Sequence, residues 1–351
     1  MNPFASLILS PLSAIYSGVT RARTAAYQRG WFSVAKLEAP VISVGNLTTG
    51  GTGKTPLVEW VCRTVAEETG KSVCVLTRGY GRANPRTQVV VSDGNKLLAN
   101  EREAGDEPFL LAGNLIGIAA VISHPDRIAA GEWAIKHLGS QVFVLDDGFQ
   151  HLRLARDLDL VTVDATNPWG AGEEGSGRLL PAGRLREPRT GLARAGSVVL
   201  TRMEQVENPA AIKDAVQQLA GGIPIFTSQM VISGTHDLTG ENIETKNLVA
   251  QTVAAFCGVG NPESFFKQLR RAGYQLAFTR AFPDHYNYNQ ADVTRLVNDA
   301  KATGATALLT TAKDASKLAS LVFELPCYVL DIQISIDDAA PLVEIIRTAC
   351  L

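Results

Sequence analysis

A glycine-rich segment near residue 50 has the composition and spacing of a phosphate-binding loop. It reads Thr48-Thr49-Gly50-Gly51-Thr52-Gly53-Lys54-Thr55 and lies between a predicted buried strand at 40–46 and a helical pattern at 57–68. Glycines let backbone N–H groups turn toward phosphate oxygens, and the following helix presents the positive end of its dipole. Lys54 would then reach the β- and γ-phosphates, and the Thr55 hydroxyl would bind Mg²⁺. We therefore predict a nucleoside triphosphate site formed by Thr48, Gly50, Gly51, Thr52, Gly53, Lys54 and Thr55.

Two adjacent acidic residues, Asp146 and Asp147, follow the apolar run 141–145. Ligands bind outside the carboxyl ends of parallel strands, so a carboxylate there would be directed at the Mg²⁺ of a bound nucleotide. The alternative is an acidic turn after a strand, and the phosphate loop upstream favours the metal site. We predict Thr55, Asp146 and Asp147 as metal-binding residues, and the sequence leaves open which aspartate holds the ion.

Three further segments carry polar groups whose function the residues alone leave open. Asp106 opens a predicted helix, where an acidic residue commonly stabilises the helix dipole. His285 lies in an aromatic and polar loop, and a single histidine in a loop is most often structural. Lys313 and Asp314 follow a predicted strand, where they could recognise a nucleotide base, bind the substrate or begin a capped helix.

Apolar strands alternate with helical patterns along most of the chain. Uniformly apolar strands are typical of a parallel sheet that is covered on both faces. The predicted fold class is therefore α/β, with a mostly parallel sheet of the P-loop NTPase type, a second, smaller α/β domain and an N-terminal amphipathic helix. We place the helix at 1–25, the nucleotide-binding domain at 36–230 and the second domain at 245–351, because turn-forming residues cluster between 227 and 247.

Composition limits the classes of function that fit. The chain has 351 residues, more than one hydrophobic core usually serves, and 46% hydrophobic with 19% charged residues is ordinary for globular proteins. The formal net charge is −2, which lacks the basic excess that binds nucleic acid, so we predict no nucleic-acid partner. The five cysteines are scattered and form no C-x-x-C pair, which does not fit a zinc site or a disulfide framework.

The N-terminal segment is apolar from residue 4 to residue 16, and Arg21, Arg23 and Arg29 follow it. A signal peptide would carry its positive charge before the apolar stretch, and no run of 18 apolar residues is present to span a membrane. Two interpretations remain, an amphipathic helix packed on the domain and an interfacial helix with its arginines at anionic headgroups. Pro11 is expected to break or kink the helix in either case.

Taken together, these segments resemble the tetraacyldisaccharide 4′-kinase family, the lipid A 4′-kinases. The resemblance rests on the segments 44–56 (VGNLTTGGTGKTP), 77–81 (TRGYG), 105–108 (GDEP), 146–151 (DDGFQH), 183–188 (GRLREP), 284–285 (DH) and 311–315 (TAKDA). Thr48 stands where the general phosphate-loop pattern has glycine, and this substitution looks like a trait of the family.

The resemblance implies transfer of the γ-phosphoryl group of ATP, with Mg²⁺, to the 4′-hydroxyl of a tetraacylated glucosamine disaccharide 1-phosphate. It also implies a carboxylate–histidine pair at the acceptor hydroxyl. By motif this pair is Asp106 and His285, so the reaction would need the two domains to close. A guanidinium can clamp a phosphate of ATP or of the acceptor. The predicted catalytic residues are Asp106, His285 and Lys54, and the predicted substrate-binding residues are Arg78, Tyr80 and Arg186.

The family further implies a peripheral enzyme on the cytoplasmic face of the bacterial inner membrane, which favours the interfacial interpretation of the N-terminal segment. Two other functions fit a phosphate loop. One is a nucleotide-dependent switch of the metal-insertase kind, against which the sequence offers no Cys/His cluster for a metal cargo. The other is a soluble ligase that uses ATP to activate a carboxylate.

Overall fold

The computed structural model describes residues 3–80, 82, 84–170 and 177–351, so the first two residues of the predicted N-terminal helix lie outside it. The chain forms two compact units. The first comprises Met1–Gln229 together with Ile334–Leu351, and the second comprises Met230–Gln333.

Twelve strands are formed by the described residues. In chain order they are β1 (Val41–Asn46), β2 (Val73–Thr77), β3 (Val89–Ser92), β4 (Ala119–Ser123), β5 (Val142–Asp146), β6 (Leu158–Asp164), β7 (Ser197–Thr201), β8 (Ile225–Asp237), β9 (Thr252–Cys257), β10 (Gln275–Ala281), β11 (Ala307–Thr311) and β12 (Cys327–Ile336).

The α-helices of the described residues alternate with most of these strands. They are α1 (Pro3–Gln28), α2 (Lys54–Thr69), α3 (Glu101–Ala104), α4 (Asp106–Asn114), α5 (Arg127–Leu138), α6 (Pro209–Ala220), α7 (Thr245–Val249), α8 (Pro262–Arg271), α9 (Gln290–Ala302), α10 (Ala312–Leu318) and α11 (Ala339–Ala349).

The sheet of the first unit has the order β8-β7-β6-β1-β5-β2-β4-β3. All neighbouring pairs are parallel except β3 and β4 at one edge. The strands β1, β2, β4 and β5 are buried along their whole length, as expected when helices cover both faces of a parallel sheet. The predicted mostly parallel α/β fold is therefore confirmed.

The second unit contains a smaller parallel sheet in the order β10-β9-β11-β12. Two apolar clusters form its core. One is centred on Phe265, Phe266 and Leu269 of α8, and the other on Val293 and Leu296 of α9. The alternation of buried strands and amphipathic helices that the sequence indicated after residue 245 corresponds to this unit.

The boundaries of the units differ from the predicted ones at both ends. The second unit begins at Met230, inside β8, because this strand forms the first part of the segment 227–247 in which turn-forming residues cluster. The second unit ends at Gln333, and the last helix, α11, belongs to the first unit, where it packs against α2 and β1. Lys71 Nζ also donates a hydrogen bond to the Cys350 carbonyl.

Pro11 was expected to break or kink the N-terminal helix, and the helix runs through this residue without a break. Pro11 is exposed, and water can bond the carbonyl that its missing N–H leaves unpaired. Side chains on one side of α1 attach it to a loop, since Ser13 Oγ donates to Leu179 O (2.8 Å) and Tyr16 OH donates to Arg186 O (2.9 Å). Among the described residues, no helix is both long and apolar enough to cross a membrane.

Candidate active site

The predicted phosphate loop connects the carboxyl end of β1 to the first turn of α2. Gly50 and Gly53 adopt φ angles of 110° and 82°, which residues with a Cβ atom rarely adopt. Gly53 directly precedes Lys54, the first residue of α2. The loop therefore directs the N-terminus of the 16-residue helix α2 toward a ligand bound over the glycines, as a phosphate site requires.

Buried polar contacts hold this loop from behind. Asn46 Nδ2 donates to Thr48 O (2.7 Å) and to Thr52 Oγ1 (2.9 Å), while Thr201 Oγ1 donates to Thr52 O (3.0 Å). Thr52 Oγ1 also lies 2.9 Å from Thr162 Oγ1. Thr48 and Thr52 are both buried, so their contacts shape the loop from behind.

The segment that contains Arg186 lies along the outer side of the loop. Thr49 N donates to Arg184 O (2.8 Å), and Arg186 N donates to Leu47 O (2.7 Å). These two bonds hold the backbone of the predicted substrate-binding residue Arg186 next to the phosphate loop, at about the 4.8 Å spacing of hydrogen-bonded strands.

Asp147 is at the centre of a charged cluster beside the loop. Arg186 NH1 lies 2.6 Å from both carboxylate oxygens of Asp147, and Lys54 Nζ lies 3.8 Å from Oδ1. Burial alone would raise the pKa of Asp147, but the charges of Lys54 and Arg186 outweigh this and lower it. The structure thus brings together three residues that the sequence predicted separately, and Asp147 is ionised at neutral pH.

Asp146 is in a different environment, although it is the adjacent residue. It is the last residue of β5, it is buried, and its Oδ2 accepts a hydrogen bond from Thr77 Oγ1 (3.0 Å). Burial, reinforced by the negative charges of Glu107 and Asp147, raises its pKa to about 6. A bound divalent cation would compensate this buried charge.

A pH-dependent stability effect follows for Asp146. Because its pKa is higher in the folded than in the unfolded chain, its contribution to stability is complete below about pH 4 and is lost as pH rises through about 6. We expect Asp146→Asn, which can still accept from Thr77, to gain up to about 3 kcal/mol of unfolding free energy over the wild type between pH 4 and pH 7. Urea unfolding with a chelator and without nucleotide measures this difference, and a difference that stays constant with pH would contradict it.

Asp106 is held by the close approach of two loops. It is the first residue of α4, and Gly105 before it has a φ of 93°. A Cβ atom on Gly105 would lie 2.6 Å from Tyr80 O, so only glycine allows this contact. The loop after β2 carries the predicted substrate-binding pair, in which Arg78 NH1 donates to Tyr80 OH (2.9 Å). Both of these side chains are exposed and accessible to a ligand.

Two arginines near the site were not singled out from the sequence. Arg127 is only 6% exposed, and its Nε has no hydrogen-bond partner among the residues that the structure describes. Burial lowers its pKa, and the nearby carboxylates of Asp146 and Asp147 oppose that shift. Arg184 lies beside the loop, since a Cβ atom on Gly50 would be 3.9 Å from its NH1. Arg127 follows Asp126, the N-cap of α5, and an arginine at the start of a helix carries no signal of a functional site in the sequence.

The predicted residues of the second unit lie where β9, β10 and β11 end. Lys313 Nζ lies 2.9 Å from Asp284 Oδ1 and 3.4 Å from His285 Nε2, and His285 has a positive φ of 59°. Asp314 is fully buried and accepts from Gly258 N and Tyr288 OH. Asp314 is therefore structural, and of the three interpretations of this segment the capped helix start, with Thr311 as N-cap, is the one formed.

The donor set beside the loop suits Mg²⁺. This ion usually binds through one or two carboxylates, waters and the phosphates of the substrate. Thr55 supplies a hydroxyl and Asp146 a buried carboxylate without a directly paired cation, whereas Asp147 is already paired with Arg186. No group of three or more His, Cys, Asp or Glu side chains that could hold a metal ion occurs among the described residues.

A phosphate loop between a buried parallel strand and a helix, with carboxylates at the ends of neighbouring strands, defines the class as P-loop nucleotide-binding proteins. Comparison with known proteins gives the family. The sequence profile of the tetraacyldisaccharide-1-P 4′-kinases matches residues 5–351. The chain therefore belongs to this kinase family, and the resemblance noted from the sequence is confirmed.

Individual relatives agree with this assignment over nearly the full chain. The tetraacyldisaccharide 4′-kinase of Geobacter metallireducens is 42% identical, with 95% of each chain covered. That of Desulfotalea psychrophila is 37% identical, covering 91% of this chain and 89% of the relative. Among solved structures, LpxK from Aquifex aeolicus in complex with ATP has a TM-score of 0.77 and 32% identity, covering 97% of this chain and 98% of that one.

Proposed function

We propose that this protein transfers the γ-phosphoryl group of ATP to the 4′-hydroxyl of a tetraacyldisaccharide 1-phosphate. The observation that carries the proposal is the phosphate loop, in which Lys54 Nζ lies 3.8 Å from Asp147 Oδ1. The sequence profile of this kinase family matches the chain over residues 5–351. Its relatives carry the name of the same reaction, and the A. aeolicus structure is described as an ATP complex.

On the nucleotide side, Lys54 leaves its ion pair with Asp147 for the β- and γ-phosphates. Asp147 retains Arg186 as a partner when this happens, so no buried carboxylate is left unpaired. Backbone N–H groups of Gly50, Gly51 and Gly53 bind the phosphates, and positioning with charge neutralisation supplies most of the catalysis.

Mg²⁺, when bound with the nucleotide, neutralises phosphate charge. Thr55 and Asp146 are the residues that would hold it. The assignment of Asp146 over Asp147 rests on the pairing of Asp147 with Arg186, which leaves Asp146 as the carboxylate that needs a cation.

On the acceptor side, Asp106 accepts the proton of the 4′-hydroxyl as its oxygen attacks the γ-phosphorus. The bond from that phosphorus to the β–γ bridging oxygen breaks, and ADP leaves. The role of His285 as the partner of Asp106 stays a prediction.

The transferred phosphoryl group and the acceptor beside it need cations that are not already paired. Arg78 and Tyr80 form an exposed pair close to Asp106, and the buried Arg127 acts electrostatically on both. We assign these three residues to the acceptor side of the transferred phosphoryl group. A guanidinium offers the bidentate geometry that phosphate requires.

The lipid nature of the acceptor gives a function to α1. Leu12, Ile15 and Val19 lie three to four residues apart on one face of this helix and are 49%, 64% and 61% exposed. Next to this stripe, Tyr16 attaches the helix to Arg186, which also contacts Asp147. We propose that the exposed stripe enters the lipid surface and positions the enzyme peripherally on the cytoplasmic face of the inner membrane.

Membrane binding is therefore expected to depend on this stripe. The triple variant Leu12→Ser, Ile15→Ser, Val19→Ser should bind anionic lipid vesicles at least about 10-fold more weakly, because each apolar side chain contributes roughly 1 kcal/mol or more on burial. Vesicle sedimentation measures the change. The matched control is Val322→Ser, another highly exposed apolar residue that lies outside α1. Equal binding by the triple variant and the wild type would contradict a role of α1 in docking.

Transfer of labelled γ-phosphate from ATP to purified tetraacyldisaccharide 1-phosphate in mixed micelles tests the proposed function. We expect a labelled lipid bisphosphate and ADP. A nucleotide switch would hydrolyse its nucleotide and leave the lipid unlabelled. A ligase would require a carboxylate substrate, so either result would replace the kinase assignment.

A further inference from the structure

An exposed arginine outside the cluster around Asp147 lies at the edge of the phosphate loop. A Cβ atom on Gly50 would be 3.9 Å from Arg184 NH1, so the guanidinium lies beside the backbone of this glycine. Gly50 has a φ of 110°, which belongs to the loop conformation that turns N–H groups toward phosphate oxygens. The Arg184 side chain is exposed, so it is accessible to a phosphate that the loop binds.

The backbone of Arg184 is fixed to the loop in an extended conformation. Thr49 N donates to Arg184 O (2.8 Å), and Leu185 pairs with Thr48 in an antiparallel bridge. Successive side chains of an extended segment point to opposite faces. Leu185 is only 1% exposed and packs in the apolar core, so Arg184 and Arg186 lie on the opposite face from it.

The face that carries Arg184 and Arg186 is the one with the nucleotide-binding charges. Arg186 NH1 contacts Asp147, whose Oδ1 lies 3.8 Å from Lys54 Nζ. Arg184 is two residues from Arg186, which is about 7 Å in an extended chain. The Arg184 guanidinium therefore belongs to the same charged surface as Lys54, the residue that reaches the β- and γ-phosphates in a phosphate loop.

The stem of the Arg184 side chain packs on a glycine in the loop after β6. A Cβ atom on Gly170 would lie 2.5 Å from Arg184 Cβ and 3.4 Å from both Cγ and Cδ, so only glycine allows this contact. Gly170 N in turn donates to Asn167 O (3.2 Å). Because the stem is supported in this way, less side-chain entropy is lost when the guanidinium binds a ligand.

Arg184 differs from the other arginines near it in having no partner among the described residues. Arg186, Arg194 and Arg202 each contact a carboxylate oxygen, at 2.6, 2.5 and 2.6 Å. In the described part of the chain, the Arg184 guanidinium forms neither a hydrogen bond nor an ion pair. A guanidinium that is supported by its stem and has no anion of its own is suited to bind a phosphate.

We propose that Arg184 binds the terminal phosphates of ATP and neutralises the negative charge that develops while the γ-phosphoryl group is transferred. This is the role of an arginine finger, supplied here by the same chain as the phosphate loop. The inference rests on the proposed function for the identity of the nucleotide. Lys54 is a compact charge at the start of α2, whereas Arg184 adds a planar guanidinium that donates two parallel hydrogen bonds to phosphate oxygens from the edge of the loop.

The test measures ATP affinity and phosphoryl transfer in Arg184→Ala. The variant should unfold at the wild-type temperature, because Arg184 holds the loop through its carbonyl oxygen. We expect the dissociation constant of ATP, measured by calorimetry without lipid, to rise about 10-fold, as for the loss of a hydrogen bond to a charged group. Single-turnover transfer at saturating ATP should fall at least about 10²-fold, because the contact strengthens as charge develops. Arg184→Lys should recover more of the affinity than of the rate.

The matched control is Arg153→Ala, which removes another exposed arginine whose carbonyl accepts a backbone hydrogen bond, from Ala35 N (2.8 Å). It should keep both wild-type values. Unchanged affinity and transfer in Arg184→Ala, or equal losses in both variants, would overturn the inference, and a change in affinity with an unchanged rate would overturn its catalytic part. If the wild type does not phosphorylate the lipid, the proposed function fails, and the ATP affinities still decide whether Arg184 binds the nucleotide.

Discussion

Asp106→Asn is expected to transfer phosphate to the lipid about 10²- to 10⁴-fold more slowly than the wild type, the range attributed to a general base. The amide keeps the size of the carboxylate and its place in the first turn of α4, but it cannot accept the proton of the attacking hydroxyl. ATP binding should change little, because the phosphates are bound by the glycine-rich loop and the N-terminus of α2, which is a separate segment from α4. Single-turnover transfer of labelled phosphate, with calorimetric ATP binding in parallel, measures both quantities.

The control for this variant is Glu132→Gln, which removes the same charge from an exposed position on α5. It should keep the wild-type rate. A wild-type rate in Asp106→Asn would show that the hydroxyl proton leaves by another route, and loss of ATP binding would show that Asp106 supports the nucleotide site.

Lys54→Ala is expected to lower kcat/KM for ATP by about 10²- to 10³-fold, because Lys54 is the cation that the loop directs at the transferred phosphoryl group. The fold should persist, since Asp147 keeps its 2.6 Å contacts with Arg186 after Lys54 is lost. Steady-state kinetics with varied ATP, together with a thermal unfolding curve, separates lost catalysis from lost structure.

Lys54→Arg provides the matched comparison. It preserves the charge but replaces a compact ammonium with a planar guanidinium, which does not fit the same point between the phosphates. We expect it to retain part of the affinity for ATP and little of the turnover. Full activity in Lys54→Ala would contradict the assignment of the phosphate loop as the catalytic site.

Local sequence patterns predicted the features that depend on neighbouring residues, namely the phosphate loop and the order of strands and helices. The phosphate loop requires glycine conformations that few other residues adopt, and these were found at Gly50 and Gly53. The alternation of apolar strands and amphipathic helices likewise predicted the parallel sheet, because uniformly apolar strands are stable only when both faces are covered. The family resemblance extended this to the reaction.

Features set by tertiary contacts could not be predicted in the same way. The helix α11 belongs to the first unit because it packs against α2, and no local pattern in the sequence indicates this contact. Arg127 looks like an ordinary charged residue at a helix start, and only its burial and its Nε without a hydrogen-bond partner among the described residues distinguish it. The different roles of Asp146 and Asp147 depend on Arg186, which pairs with Asp147 alone and is distant from both in sequence.

The most direct test of the central claim is the position and yield of the new phosphate on the lipid. The wild type is incubated with ATP, Mg²⁺ and tetraacyldisaccharide 1-phosphate, and the lipid product is analysed by phosphorus NMR while ADP is quantified. We predict one new phosphomonoester at the 4′ position for each ADP formed, and no product from an acceptor whose 4′-hydroxyl is blocked. Formation of ADP with an unmodified lipid, or phosphate at another hydroxyl, would contradict it.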